Sequence, residues 1–187
     1  MPTLFTHPAV PLALGLALGT RTISRRLLLA GIGLSILPDL DVLAFQFAIP
    51  YEAGLGHRGF SHSLMFAALA ALLGTLLLRR YQERFAPSLL FLLVAAASHS
   101  VLDAFTNGGY GIAFFWPFSL ERYFAPVQVI EVSPLSAVRF FSPRGATVLM
   151  SELLWVWLPC IGLYAILAAY RYIMPDGRLR QSNVRRP

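Results

Sequence analysis

Charged side chains are scarce in this chain: they make up 13% of its 187 residues, whereas hydrophobic residues make up 57%. Soluble domains carry about 25% charged residues. So little charge cannot cover a water-facing surface, which excludes an ordinary soluble domain, a disordered chain and a coiled coil. The composition therefore predicts a polytopic membrane protein, with residues 1–187 forming a single transmembrane domain.

Lysine is absent, and cysteine occurs once, at Cys160. A single cysteine excludes a disulfide framework and a cysteine-based zinc site. All 15 basic residues are arginines, and the formal net charge is +6. They lie between apolar runs rather than in one basic surface, which indicates membrane topology and no nucleic-acid partner.

Five apolar runs approach the roughly 20 residues that a membrane-spanning helix needs. They cover residues 8–20, 27–50, 60–78, 87–105 and 147–170. Glycine, proline and aromatic residues are frequent between the last two runs, which favours a long extracytoplasmic or re-entrant loop over residues 107–146, with room for short strands. The predicted fold is thus an all-α transmembrane bundle of about five spans.

The arginines are unevenly distributed along the chain. Three groups follow alternate runs: Arg21, Arg25 and Arg26; Arg79, Arg80 and Arg84; and Arg171, Arg178, Arg180, Arg185 and Arg186. Because arginine is enriched in cytoplasmic segments, these groups are expected inside, and residues 171–187 form a basic cytoplasmic tail. The expected outer side of the membrane then has four arginines: Arg58, Arg122, Arg139 and Arg144. The N-terminus is then outside and the C-terminus inside a bacterial or archaeal cytoplasmic membrane.

Ionisable residues within membrane spans are costly and are functional candidates by default. Every histidine and most aspartates lie in or beside the apolar runs: His7, Asp39, Asp41, His57, His62, His99 and Asp103. Counted from the arginines expected on the cytoplasmic side at 1.5 Å per residue, all of these except the loop residue His57 lie about 20 to 28 Å up. Four helices thus bring imidazole and carboxylate groups to one level near the outer leaflet.

The spacing of these residues favours a metal site. His99 and Asp103 are four residues apart and share one face of a helix. Asp39 and Asp41 would diverge in a regular helix, but Pro38 disrupts the turn before them and would allow both to face one site. Imidazole and carboxylate ligands without a thiolate suit zinc, manganese or iron. The preferred ligands are Asp39, Asp41, His62, His99 and Asp103; neighbouring serines Ser61, Ser63, Ser98 and Ser100 could orient them.

Four strings carry a resemblance to a known family: LPDLD (37–41), HRGFSHS (57–63), SHSVLDAFTNGG (98–109) and WPFSLERYF (116–124). In this order they resemble the YdjM-type inner-membrane family, for which a metal-dependent hydrolase activity has been proposed, from residue 7 to about residue 131. The resemblance implies a multi-pass membrane protein whose site includes all seven His and Asp residues named above. It also implies a further carboxylate at Glu131, where family members often have aspartate.

The order of the ligands is also similar to that in zinc-dependent phospholipase C and the related P1-type nucleases, which are soluble helical proteins with clustered zinc ions. No histidine follows His99. The last ligands of that group are therefore missing, and one or two divalent ions are expected rather than three.

These observations predict a membrane-bound metal-dependent hydrolase that acts on a lipid ester or phosphodiester, with membrane lipids as its partners. His57 is a candidate ligand or general acid, and Asp41 a candidate base. Arg58 or Arg122 would bind an anionic headgroup. The main alternative is a metal-ion or proton transporter using the same cluster, although no internal repeat supports it. Haem ligation by a histidine pair and a non-catalytic scaffold are further alternatives.

Overall fold

The computed structural model describes residues 1–134 and 136–173, and in this part the chain is helical without regular strands. The α-helices are α1 (Ala9–Leu18), α2 (Arg25–Ile36), α3 (Leu64–Leu78), α4 (Phe85–Ala104), α5 (Ala137–Phe140), α6 (Pro143–Glu152) and α7 (Leu158–Ile173). A 3-10 helix, Leu37–Phe47, continues α2, and a π turn, Leu153–Trp157, joins α6 to α7. Shorter 3-10 turns are Phe60–His62 and Arg79–Tyr81.

Four helical segments are long and apolar enough to cross a membrane: Arg25–Phe47, Leu64–Tyr81, Phe85–Ala104 and Pro143–Ile173. The predicted all-α transmembrane fold is therefore confirmed. Helix α1 is also apolar but has 10 residues, which cover about half of a 30 Å hydrocarbon core. The fifth span remains a prediction. Most of the predicted basic tail, residues 174–187, lies outside the described residues.

Helix α4 lies at the centre of the bundle, where it packs against α2 and α3, while α1 packs against α7. The buried core between α2, α3 and α4 includes Leu27, Ala71, Phe91 and Leu92. Small residues allow the helices to approach closely. A Cβ atom at Gly31 would lie 2.5 Å from the Phe91 ring, so the contact between α2 and α4 requires glycine there.

Serine and proline set the helix boundaries near the site. The Ser63 hydroxyl accepts a hydrogen bond from the Phe66 N–H at 3.0 Å and caps the start of α3. Helix α2 ends at Ile36. Pro38, two residues later, lacks an N–H and cannot continue the α-helical pattern. The chain turns into the 3-10 helix at this point. This change of helix type decides where the two aspartates that follow Pro38 are directed.

The connection between α4 and α6 folds back over the end of the bundle. The Leu64 N–H donates to the Phe114 carbonyl at 3.0 Å, and the Ala113 N–H donates to the Arg58 carbonyl at 3.1 Å. Two isolated β-bridges, Thr106–Ile130 and Ile112–Tyr123, tie the connection to itself. It therefore lies against residues 58–64, which lead into the start of α3. Its predicted extracytoplasmic or re-entrant position stays a prediction.

Candidate metal centre

Four buried side chains meet at one end of α4. Asp39, His62, His99 and Asp103 each offer one nitrogen or oxygen atom, and these four atoms lie within 4.8 Å of one another. Each residue is at most 4% exposed. His99 and Asp103 come from the last turns of α4, and the other two come from the 3-10 segments that follow α2 and precede α3. The predicted His/Asp cluster is thus present.

His7 adds a fifth ligand-type group from the turn before α1. Its Nε2 lies 3.5 Å from the Asp39 Oδ2 and 3.8 Å from the Asp103 Oδ1. Its ring stacks on the ring of His99, with centroids 3.8 Å apart. Because His7 is fully buried, its imidazole nitrogens are cut off from water.

The protein fixes the orientation of two of the imidazoles through Nδ1. The His99 Nδ1 lies 2.8 Å from the Ser35 carbonyl oxygen, and the His62 Nδ1 lies 3.1 Å from the Asp41 Oδ2. Because these oxygens accept hydrogen bonds, each Nδ1 carries a proton, and in the neutral ring each Nε2 then presents a lone pair. The two Nε2 atoms face each other at 3.0 Å. Two lone pairs at this distance repel each other unless a cation or a proton lies between them.

Several atoms at this centre have no hydrogen-bond partner among the described residues. They are both ring nitrogens of His7, both carboxylate oxygens of Asp39 and of Asp103, and the Nε of Arg58. A buried polar group without a partner is costly, and a buried charge more so. A divalent cation can satisfy lone pairs and carboxylates that converge without hydrogen-bond donors. A ligand set of nitrogen and oxygen atoms fits zinc, manganese or iron.

Asp41 and His57 lie beside this cluster rather than within it. The Asp41 Oδ1 is 2.5 Å from the His57 Nδ1, and its Oδ2 accepts from the Ser61 hydroxyl at 2.6 Å. In a 3-10 helix, residues two apart point about 120° away from each other. This angle is smaller than the about 160° of an α-helix, but Asp39 still faces His7 and His99 while Asp41 faces His57 and Ser61. The two carboxylates therefore do not face one site as expected from Pro38. Asp41 instead orients His62.

Arg58 is fully buried and holds the end of α4 in place. Its Nη1 donates to the Gly108 carbonyl at 2.7 Å and its Nη2 to the Thr106 hydroxyl at 2.9 Å. Its Nε lies 3.1 Å from the Asp103 Oδ2, without the alignment of a hydrogen bond. These contacts place the buried guanidinium against Asp103 and the end of α4, and the predicted role of Arg58 in binding a headgroup stays a prediction.

The other two predicted site residues lie in the connection between α4 and α6. Arg122 donates to the carbonyls of Tyr51 and Ala53 at 3.2 Å each, and its headgroup role stays a prediction. Glu131 forms an ion pair with Arg144 at 2.7 Å and is not part of the four-residue cluster. A hydrogen bond from the Asn107 side chain, together with Arg144, lowers the pKa of Glu131.

The sequence indicates one of the orienting groups, Ser61, but not the Ser35 carbonyl. Among the serines, Ser61 contacts Asp41, whereas the Ser98 hydroxyl donates to the Ala95 carbonyl within α4. The Ser35 contribution is a backbone carbonyl, which every residue has, so no side-chain pattern could indicate it. Thr106 lies within the SHSVLDAFTNGG string, but only the fold places it against Arg58.

Asp41→Asn is expected to weaken divalent-metal binding by about 10- to 100-fold, since outer hydrogen-bond partners of ligand histidines contribute this much. The neutral amide accepts more weakly from His62 and can turn its NH₂ group toward it. Competition with a chromophoric chelator on purified protein measures the effect. Glu52→Gln makes the same chemical change at an exposed carboxylate and should bind like wild type. Equal metal affinity in the two variants would contradict the orienting role of Asp41.

The chain is similar to known membrane proteins over nearly its whole length. A sequence profile of the YdjM inner membrane protein family matches residues 1–175. The chain is also 50% identical over 168 residues to the inner membrane protein YbcI of Escherichia coli (strain K12), a match that covers 89% of this chain and 97% of that protein. No solved structure matches significantly. The chain therefore belongs to the YdjM family of inner membrane proteins.

Proposed function

We propose that this protein is a metal-dependent hydrolase that acts on a lipid ester or phosphodiester within the membrane. One observation carries the proposal: buried imidazole nitrogens and carboxylate oxygens converge within 4.8 Å of one another, and among the described residues the oxygens of Asp39 and Asp103 accept no hydrogen bond. His7, Asp39, His62, His99 and Asp103 would hold one or two divalent ions, of which zinc fits the donor set best. A divalent cation supplies Lewis acidity at such a site.

His57 is the proposed acid–base residue. Its Nδ1 is engaged by Asp41 at 2.5 Å, so Nε2 is the atom that would take a proton from water or give one to the leaving group. Its ring lies edge-on to Tyr51, with centroids 5.0 Å apart. Asp41 shares its two oxygens between His57 and His62. One carboxylate therefore couples the proposed acid–base group to the proposed metal ligand.

The proposed path of the substrate is on the His57 side of the centre. The five ligand residues are sealed, whereas Phe45 and Tyr110, which pack around Tyr51 beside His57, are 38% and 61% exposed. Aromatic side chains of this kind are frequent at membrane interfaces. A lipid that approaches from the bilayer could place its headgroup against this aromatic rim. Arg122, which packs over Tyr51 at 5.9 Å, is a candidate for contact with an anionic headgroup.

The proposed orientation places the centre near the outer leaflet. Arg25 begins α2, Arg79 follows α3 and Arg84 precedes α4. The ligand residues lie at the opposite ends of the same helices. Because arginine-rich ends favour the cytoplasm, the metal centre would lie toward the outside, with the N-terminus out and the C-terminus in.

Elemental analysis and a lipid assay on the same purified protein test the proposal. We expect one or two bound divalent ions per chain, and turnover of ester or phosphodiester lipids that stops after chelation and returns on adding zinc. Metal at 100 times its Kd should stabilise the fold by about 2.7 kcal/mol, seen as a higher melting temperature. Bound metal without lipid turnover would contradict the enzymatic proposal, and metal-dependent flux in proteoliposomes would favour a transporter.

A further inference from the structure

Glu152 is a buried carboxylate that the proposed chemistry does not use. It ends α6 and is 1% exposed. It lies within Pro143–Ile173, one of the segments apolar enough to cross a membrane. A carboxylate in such a segment is expensive and is retained where it has specific partners. Its partners therefore indicate what it does.

Both oxygens of Glu152 bind the turn that precedes His7. The Oε1 accepts a hydrogen bond from the Thr3 backbone N–H. The Oε2 accepts from the hydroxyls of Thr3 and Thr6, each at 2.7 Å. Trp157, on the same helical segment, donates its indole N–H to the Thr6 hydroxyl at 3.1 Å. Two side chains of the last span thus hold the residue directly before His7.

The π turn between α6 and α7 makes this double contact possible. Its defining bond runs from the Leu158 N–H to the Leu153 carbonyl, five residues back. In an α-helix, residues five apart point about 140° away from each other. The wider π turn brings such residues toward one side. Glu152 and Trp157 are five apart, and both reach Thr6.

His7 depends on this support more than the other two ligand imidazoles do. The Nδ1 atoms of His62 and His99 are oriented by Asp41 and by the Ser35 carbonyl. The His7 Nδ1 has no hydrogen-bond partner among the described residues. The position of the His7 ring therefore follows from its stacking on His99 and from the backbone of the turn that Glu152 holds.

We propose that Glu152 is a positioning residue that fixes His7 in the metal centre through Thr3 and Thr6. This inference rests on the proposed metal centre. The segment Pro143–Ile173 supplies none of the proposed ligands, but it determines the position of one of them, His7. The role of Glu152 is to hold the backbone of the turn, and it contacts neither metal nor substrate.

Metal affinity and the visible spectrum of the cobalt-substituted full-length protein test this role. Glu152→Leu should lower cobalt affinity by about 10- to 100-fold, as loss of an outer partner does, and its spectrum should match that of His7→Ala. Glu152→Gln keeps an acceptor for the Thr3 N–H and should restore most of the affinity. Ser151→Ala is the matched control, since Ser151 is buried on the same helix but bonds to the Glu131 N–H.

A double variant separates positioning from general loss of stability. Glu152→Leu combined with His7→Ala should bind cobalt no more weakly than His7→Ala alone, because both changes remove the same ligand. Additive losses would overturn the inference. So would a wild-type affinity and spectrum in Glu152→Leu, and in that case the metal centre itself would stand. Absence of cobalt binding in the wild-type protein would instead refute the proposed function.

Thr6→Val provides the same test if Glu152→Leu does not fold. It removes the hydroxyl that bonds to Glu152 and Trp157 while keeping the shape of the side chain. We expect the same cobalt spectrum as in His7→Ala. An unchanged spectrum in Thr6→Val would overturn the inference.

Discussion

His99→Ala is expected to remove stoichiometric metal from the protein. The substitution deletes the Nε2 that faces Asp39 at 3.5 Å and the His62 Nε2 at 3.0 Å. It also removes the surface on which His7 stacks. The loss of affinity should exceed the about 100-fold that an outer partner can contribute. Elemental analysis after size-exclusion chromatography measures the bound metal, and the lipid assay should fall to background.

Ser98→Ala is the matched control for this variant. Ser98 is the preceding residue on α4, and its hydroxyl donates to the Ala95 carbonyl of the same helix. The control should keep the metal and the activity of the wild type. Full metal occupancy in His99→Ala would exclude the centre described above, whatever the state of the activity.

Arg58→Met is expected to cause the largest loss of stability in the metal-free protein. Removing one partner of a buried ion pair costs about 3 to 5 kcal/mol, because the remaining charge stays buried without compensation. Here that charge is Asp103, which is fully buried. Adding divalent metal should recover part of the loss, since a cation bound by Asp103 compensates the same charge. Unfolding in detergent, with and without metal, measures both effects.

Arg144→Met is the control for the arginine substitution. Arg144 pairs with Glu131 at the surface, with 44% of its side chain exposed, and such pairs contribute less than about 1 kcal/mol. Replacing both members of the buried pair, in Arg58→Met with Asp103→Leu, should restore stability while abolishing metal binding. Equal effects of Arg58→Met and Arg144→Met would show that Arg58 does not neutralise Asp103.

The clustering of these His and Asp side chains at one end of the bundle could be predicted from the sequence, because helical rise converts sequence distance into distance along the helix. Asp39, His62 and the pair His99 and Asp103 are separated from one another by tens of residues, yet each lies a similar number of residues from an arginine group that is predicted to be cytoplasmic. The shared face of His99 and Asp103 also follows from their spacing of four. Both features depend only on the spacing of residues along a helix, and the folded chain retains this spacing.

The roles of the residues around the centre could not be predicted in the same way. Asp39 and Asp41 have different partners, and these depend on how the 3-10 segment after Pro38 packs. In the sequence, Arg58 is a charged residue in a predicted loop, which indicates an exposed side chain. In the structure, neighbouring segments cover this side chain and it is fully buried. The contacts of Glu152 with Thr3 and Thr6 span almost the whole chain. A single sequence carries no signal for such pairs.

The contact between the two ends of the chain has a consequence for biosynthesis. Helix α1 packs against α7, and the turn before His7 bonds to Glu152 and Trp157. On the ribosome, His7 emerges first, and these partners emerge after all the ligand residues. Until α7 is inserted, the early turn lacks these hydrogen-bond partners. In the proposed metal centre, we expect metal to bind only after α7 has been inserted, so a chain stalled on the ribosome before α7 would carry the ligand residues without a finished centre.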